Sequence, residues 1–347
     1  MQKVRHYFPG GNTSQGFVNF YDQILKKSGT GKLAVIKGGP GTGKSTFMKR
    51  IGAKLEASGE MVDYLHCSSD FHSLDGLYLP KYNTAIIDGT APHIVDARYP
   101  ASSDIVLNFC DLISETKIKT DSESIKNLND EISKKFKLTY EYLAAARRIS
   151  NAMEQRSGDN LDEREITNTA YNISKRLTER MNIGTKKDFF LSAITPLGVK
   201  SYIDFAFLDR YVIKLDCQVG DCGYKILEKI ISFCQNGNID MEIYYCPIKP
   251  DKPEHIIFPS ADTVITTGNI YHSYNNADEV IYYNDFAKND YDNSKNQVLY
   301  DTLIKESVSS LSEAKALHDR LEEFYIKSFD FGSLQPIEER AIEFLTS

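Results

Sequence analysis

Apolar positions in the first third of the chain fall into short runs and helical stripes that alternate. Residues 14–27 place apolar side chains at helical spacing behind Thr13 or Ser14, which predicts an amphipathic helix capped by one of those hydroxyls. Residues 33–37 form a short apolar strand. A glycine-rich loop follows, then a helix from Lys44 to about Ala57, with Met48, Ile51 and Leu55 on one face and Gly59 placed to end it. Residues 61–66, 84–88 and 104–109 read as three further strands. Strand, helix and strand in succession predict a parallel sheet covered by helices.

The same order of elements returns in the second half. Phe8, Thr13, Gly16 and Asp22 match Phe190, Thr195, Gly198 and Asp204 at one constant offset, and Val35-Ile36-Lys37 reappears as Val212-Ile213-Lys214. Residues 67–93 align without a gap to 246–272, pairing Cys67 with Cys246, Pro80 with Pro259, Gly89 with Gly268 and His93 with His272. Ordered matches in three separate blocks indicate an internal duplication. The glycine loop does not survive it: the second copy carries residues 215–224 (LDCQVGDCGY), two residues longer and without a lysine followed by a hydroxyl residue, and Asp88 becomes Thr267. One intact site per chain is expected.

Each copy is followed by helical sequence. Residues 120–155 and 161–182 follow the first copy, and 294–328 and 337–345 the second; stripes such as Leu311, Ala314, Leu317 and Leu321 suit packing between the sheets or an antiparallel helix pair, with a protein-partner surface as the alternative. The expected fold class is therefore α/β, two tandem parallel sheets flanked by helices with long helical segments after each. The expected divisions are 1–115, 116–186, 187–290 and 291–347.

Composition narrows the function classes. With 41% hydrophobic and 26% charged residues the chain is an ordinary globular one, and a net charge of -7 argues against nucleic acid as a partner. No apolar run approaches the about 18 residues of a membrane span, and the first ten residues lack a signal peptide's apolar segment, so a cytoplasmic location without membrane attachment is expected. Six scattered cysteines without a CxxC pair imply neither a disulfide framework nor a structural zinc site.

The loop itself carries the chemistry. Gly38-Gly39-Pro40-Gly41-Thr42-Gly43-Lys44-Ser45 fits GxxxxGK[ST] between an apolar strand and a helix, the context that pattern requires. Glycines let backbone N–H groups curl around a polyphosphate in conformations a β-carbon obstructs, and the helix N-terminus adds partial positive charge. Lys44 would reach the β- and γ-phosphates, Ser45 would bind Mg²⁺, and Thr46 would extend towards the α-phosphate. Asp88, ending an apolar strand at the sheet's carboxyl edge, would hold the Mg²⁺ shell.

On these residues the chain resembles the P-loop NTPase superfamily. The stretch from Gly16-Phe17 through residues 36–46 is similar to RecA-like ATPases of the circadian-clock type, and the whole length resembles a bacterial family of tandem P-loop ATPases with a degenerate second repeat. The resemblance implies nucleotide binding, with ATP favoured because neither an NKxD-type element nor a DxxG turn stands in a usable position to read guanine. RecA-like and AAA-like ATPases often carry a water-orienting glutamate near the strand-end aspartate, whereas here Gly89 follows Asp88. Asp70 and Asp75 are candidates for that role, with polar-turn positions as the competing reading. Arg98, in a loop the second copy shortens, is a candidate arginine finger against plain surface solvation. His66, Cys67, His72 and His93 raise a metal site, but only Cys67 and His93 recur in the second copy, which favours packing. The leading expectation is a slow Mg²⁺-dependent ATPase; a small-molecule or nucleotide kinase and a non-hydrolysing switch acting on a protein partner are the alternatives.

Overall fold

The computed structural model describes residues 4–25, 31–90, 94–159, 161–178, 184–237, 239–287 and 292–347. The first copy contains β1 (Val4–Tyr7), the hairpin β2 (Gly10–Thr13) and β3 (Gly16–Asn19), β4 (Lys32–Lys37), α1 (Lys44–Ala57), β5 (Val62–His66), β6 (Leu74–Leu79), β7 (Thr84–Asp88) and β8 (Ile105–Asn108). Three helices follow: α2 (Glu115–Thr120), α3 (Ser122–Gly158) and α4 (Glu163–Thr178). The second copy opens with β9 (Lys186–Phe189), the hairpin β10 (Ser192–Thr195) and β11 (Gly198–Ser201), α5 (Ile203–Phe207) and β12 (Tyr211–Asp216). It continues with α6 (Tyr224–Asn236), β13 (Met241–Tyr245), β14 (Pro253–Phe258), β15 (Thr263–Gly268) and β16 (Glu279–Tyr282) before α7 (Ser294–Ser328) and α8 (Gln335–Thr346).

The duplication is visible in the topology. One six-stranded sheet has the order β1-β5-β6-β7-β4-β8 and the other, read from its opposite end, β9-β13-β14-β15-β12-β16, so every strand has its counterpart in the same slot. The expectation of parallel sheets is corrected: β6 and β14 run antiparallel to both neighbours, and the remaining pairings are parallel. A second correction concerns residues 14–27. Gly16 has φ +91°, and the Thr13 hydroxyl accepts from Gln15 N–H while donating to Gly16 O, which closes a β-turn where a helix cap was expected. Thr195 and Gly198 repeat that turn in the second copy, with φ +95° at the glycine. Only a short 3-10 turn, Tyr21–Gln23, is helical there, and residues 26 and 27 lie outside the described ones.

Each sheet is covered by helices on one face and by the other sheet on the opposite face. Alternation along β4 sends Ala34 and Ile36 towards α1 and α8, and Leu33 and Val35 into the layer between the sheets. In the second copy Ile213 and Leu215 face α4 and α6, while Val212 faces inward. The inner layer is seamed by Phe8 and Phe190, repeat counterparts that exchange reciprocal backbone hydrogen bonds at 2.9 and 3.0 Å, the signature of a pseudo-two-fold relation. Beside them Arg5 donates to both Asp63 oxygens, at 2.9 and 2.5 Å, and to Glu242 at 2.6 Å, which is the second-copy counterpart of Asp63.

The long helices form the antiparallel pair expected of them. Leu128 and Ile132 of α3 cluster with Leu321 of α7, Lys135 pairs with Glu313, and Met153 joins Tyr300 and Ile304. The helices are exchanged between copies: α4, which follows the first copy, covers the second sheet, and α8, which follows the second copy, covers the first. Among the described residues no helix is long and apolar enough to cross a membrane.

Candidate functional site

The glycine-rich loop joins β4 to α1 at the carboxyl edge of the first sheet. Gly41 and Gly43 adopt φ +69° and +79°, a region in which a β-carbon is strained, and Gly43 is the residue from which α1 starts. The buried Thr42 turns inward and donates to Gly39 O at 2.8 Å. Lys44 Nζ donates to Gly39 O at 2.7 Å and Gly38 O at 3.2 Å, and stands 3.6 Å from Asp88 Oδ2 on the adjacent parallel strand. Its ammonium thus sits inside the loop's curl with a carboxylate opposite.

Asp88 is held from two sides. Thr90 N–H donates to its Oδ1 at 2.9 Å, and the Thr90 hydroxyl reaches Gly38 O, tying the end of β7 to the loop. Burial pushes the Asp88 carboxyl above its ordinary range, Lys44 and Thr90 oppose that, and the Asp75 charge adds to it. The Ser45 hydroxyl accepts from Leu74 N–H at 3.0 Å, which fixes it between α1 and β6. Thr46 is exposed on the outer side of the helix.

The remaining sequence candidates separate. Asp75 does not lie in a turn: it is buried on β6, accepts from Tyr21 Oη at 2.9 Å, and lies one residue beyond the Gly76–Ile87 pair, across from Asp88. Asp70 does lie in a turn, accepting from His72 N–H and the Ser73 hydroxyl, with Lys315 of α7 at 3.4 Å. Arg98 is exposed and anchored through its backbone N–H on Asp104; among the described residues it joins none of the contacts around Lys44. His66 hydrogen-bonds His6 and Tyr202 at 2.8 Å each, Cys67 is buried beside Asp75, and His93 lies outside the described residues. Gly89 is glycine for a steric reason: a β-carbon there would stand 2.4 Å from Val35 and 2.6 Å from Val95 O. No glutamate fits that position.

Sequence reasoning missed the part played by α7. A β-carbon on Gly39 would meet the Tyr325 ring at 2.3 Å, and one on Gly41 would meet Glu322 O at 2.7 Å, so the helix lies directly on the loop. His318 and Glu322, 3.5 Å apart, share this surface, and burial followed by the Glu322, Lys315, Asp319 and Lys44 charges acts on the imidazole, with a net lowering of its pKa. Nothing in local spacing marks these residues, because which loop a helix covers is decided by tertiary packing. The second copy has the equivalent arrangement: a β-carbon on Gly220, at φ +90°, would meet Met153 of α3 at 2.4 Å.

The residues present could hold a polyphosphate with a divalent cation: Lys44 supplies an ammonium, the loop a curl of main-chain groups at a helix start, and Ser45 and Asp88 are the oxygen groups that could take the cation. Compared with known proteins, the chain matches no family model, no curated protein and no solved structure.

Proposed function

We propose that this protein binds ATP with Mg²⁺ at residues 38–46 and hydrolyses it slowly, with one site per chain. The observation that carries the reading is the placement of Lys44 Nζ inside the loop's curl, 3.6 Å from Asp88 on the neighbouring strand. Lys44 holds the β- and γ-phosphates as a point charge, Ser45 and Asp88 hold the cation, and the start of α1 faces the phosphates with its N–H groups. The cation supplies charge neutralisation on the polyphosphate. Asp75 beside Asp88 keeps a second carboxylate at the same edge, and Glu322 and His318 belong to the stretch of α7 that lies beside the loop.

A second reading, a nucleotide-dependent switch, is favoured by one specific contact. Tyr325 and the Glu322 main chain lie against Gly39 and Gly41, so a polyphosphate across the loop competes with α7 for space and biases its position. Because α7 pairs along its length with α3, that shift is felt at the second copy.

Isothermal titration with ATP and Mg²⁺ tests the binding step. Lys44→Ala is expected to weaken affinity by about 10- to 100-fold, the worth of about 1.5–3 kcal/mol for hydrogen bonds to a charged group, and Asp88→Asn to weaken the Mg²⁺ dependence while leaving metal-free binding nearly unchanged. Wild-type affinity in Lys44→Ala sinks the proposal. Single-turnover assays with γ-labelled ATP then separate hydrolysis, transfer to an added acceptor, and binding without turnover.

A further inference from the structure

The second copy contains a buried cluster of one carboxylate and two imidazoles. Glu254 and His255 on β14 and His272 beyond β15 are 4%, 0% and 6% exposed, and their nearest ligand atoms lie within 4.8 Å of one another. In the repeat alignment Glu254 replaces Asp75, and His255 replaces Gly76, where a β-carbon would stand 2.7 Å from Ile86 O. The copy that lost the lysine and the strand-end aspartate has gained an imidazole where the other tolerates no side chain.

Proton placement makes the cluster unusual. The Thr266 hydroxyl donates its one proton to Thr267 O at 3.0 Å, so at 2.7 Å it accepts from His255 Nδ1–H. His255 Nε2 is then a lone pair, and it faces Glu254 Oε2 at 3.4 Å; among the described residues neither atom has a hydrogen-bond partner. Asn269 Oδ1 accepts from Tyr271 N–H at 2.9 Å, which turns its Nδ2 donor onto His272 Nε2, also at 2.9 Å. His272 Nε2 also stands 2.7 Å from Glu254 Oε1, while among the described residues His272 Nδ1 is buried without a hydrogen-bond partner. Glu254 Oε2 and His255 Nε2 are thus two buried, unpartnered polar atoms facing each other in a dry interior, and a cation between them would satisfy both.

We propose that Glu254, His255 and His272 bind a divalent transition-metal cation of the zinc class. Two imidazole nitrogens and one carboxylate form a ligand set that zinc accepts with an open fourth position. Ligand atoms on a tetrahedral zinc stand about 3.3 Å apart, given its bonds of about 2.0–2.1 Å, and the Glu254 Oε2 to His255 Nε2 separation of 3.4 Å has that span. Thr266 provides the outer hydrogen bond that orients a ligating imidazole. Glu254 and His272 also line a cavity of about 80 Å³ that reaches Cys217, Cys246 and the Lys249–Glu154 ion pair, so the fourth position opens onto space for water or a small ligand.

The test uses the full-length chain, stripped with a chelator and dialysed, then titrated with Co²⁺ alone and with Zn²⁺ alone. The expected result is one equivalent bound, with the visible absorption of four- or five-coordinate Co²⁺ that Zn²⁺ displaces. Glu254→Gln, His255→Gln and His272→Gln lose that absorption while retaining a wild-type circular dichroism spectrum. His318→Ala, at the less buried cluster of α7, keeps it. Should the ligand variants fail to fold, Thr266→Val decides: the proposal expects Co²⁺ affinity lower by about 10- to 100-fold at unchanged stoichiometry. Wild-type protein that takes up no equivalent, ligand variants that bind as wild type does, or Thr266→Val with unaltered affinity each overturn it.

Discussion

The two glycine-containing loops sit in the same slot of duplicated sheets, each under a long helix, yet their edges carry different chemistry. The first keeps an ammonium, a hydroxyl and a pair of carboxylates in Lys44, Ser45, Asp75 and Asp88. At the second, Thr267 and Glu254 take the places of Asp88 and Asp75, and His255 stands in place of Gly76, beside His272. Only Glu254 retains the acidic character of its counterpart. The contrast teaches that fold and site diverge separately: strand order, the Thr–Gly hairpin turn and the helix seat on the loop persist where the side chains at the edge do not.

The comparison rests on both copies being held in one frame, and the largest effect is expected where that frame is tied. Arg5→Ala leaves the repeat counterparts Asp63 and Glu242 buried without their shared cation, and urea unfolding is expected to show a loss of about 3–5 kcal/mol. A smaller loss indicates that the carboxylates find other partners. Next come the helix seats. Gly41→Ala and Gly220→Ala each force a β-carbon into positive φ under a helix, and each is expected to cost about 1–3 kcal/mol. Clearly unequal losses would mean that only one helix is seated firmly.

The smallest effect is a matter of pH. Burial alone would raise the Glu242 carboxyl, but the Arg5 guanidinium holds it below the ordinary carboxylate range. A carboxylate depressed in the folded state stabilises above its unfolded pKa of about 4.3, and that stability is lost as pH falls through this value towards the folded one. Unfolding free energy should therefore decline below about pH 4–5, and Glu242→Gln should flatten the decline.

Much of the first edge is legible in the residues themselves. An apolar strand, the run from Gly38 to Ser45 and the stripe Met48, Ile51, Leu55 specify strand, loop and helix by local rules, and α1 spans Lys44–Ala57 as its pattern predicts. The repeat is legible too, down to Phe8 and Phe190, which prove to hydrogen-bond each other. β6 is not, because Asp75 and Gly76 dilute a strand buried on both faces, and helical spacing at Phe17, Phe20 and Ile24 conceals the hairpin that Thr13 and Gly16 close. The groups brought together by long-range packing are hidden for the same reason: Tyr325 at Gly39, and His255 facing Glu254, depend on contacts that no short window contains.

The exchange of helices between copies has a consequence for synthesis. When the first sheet emerges from the ribosome, the face that will meet α8 has only α1 for cover, and the loop that will lie beneath α7 is bare until residues 294–328 are made. The first copy is thus left waiting on α7 and α8, with high contact order and slow final closure. Truncation near residue 290 would strip the older half of the chain rather than the newer one.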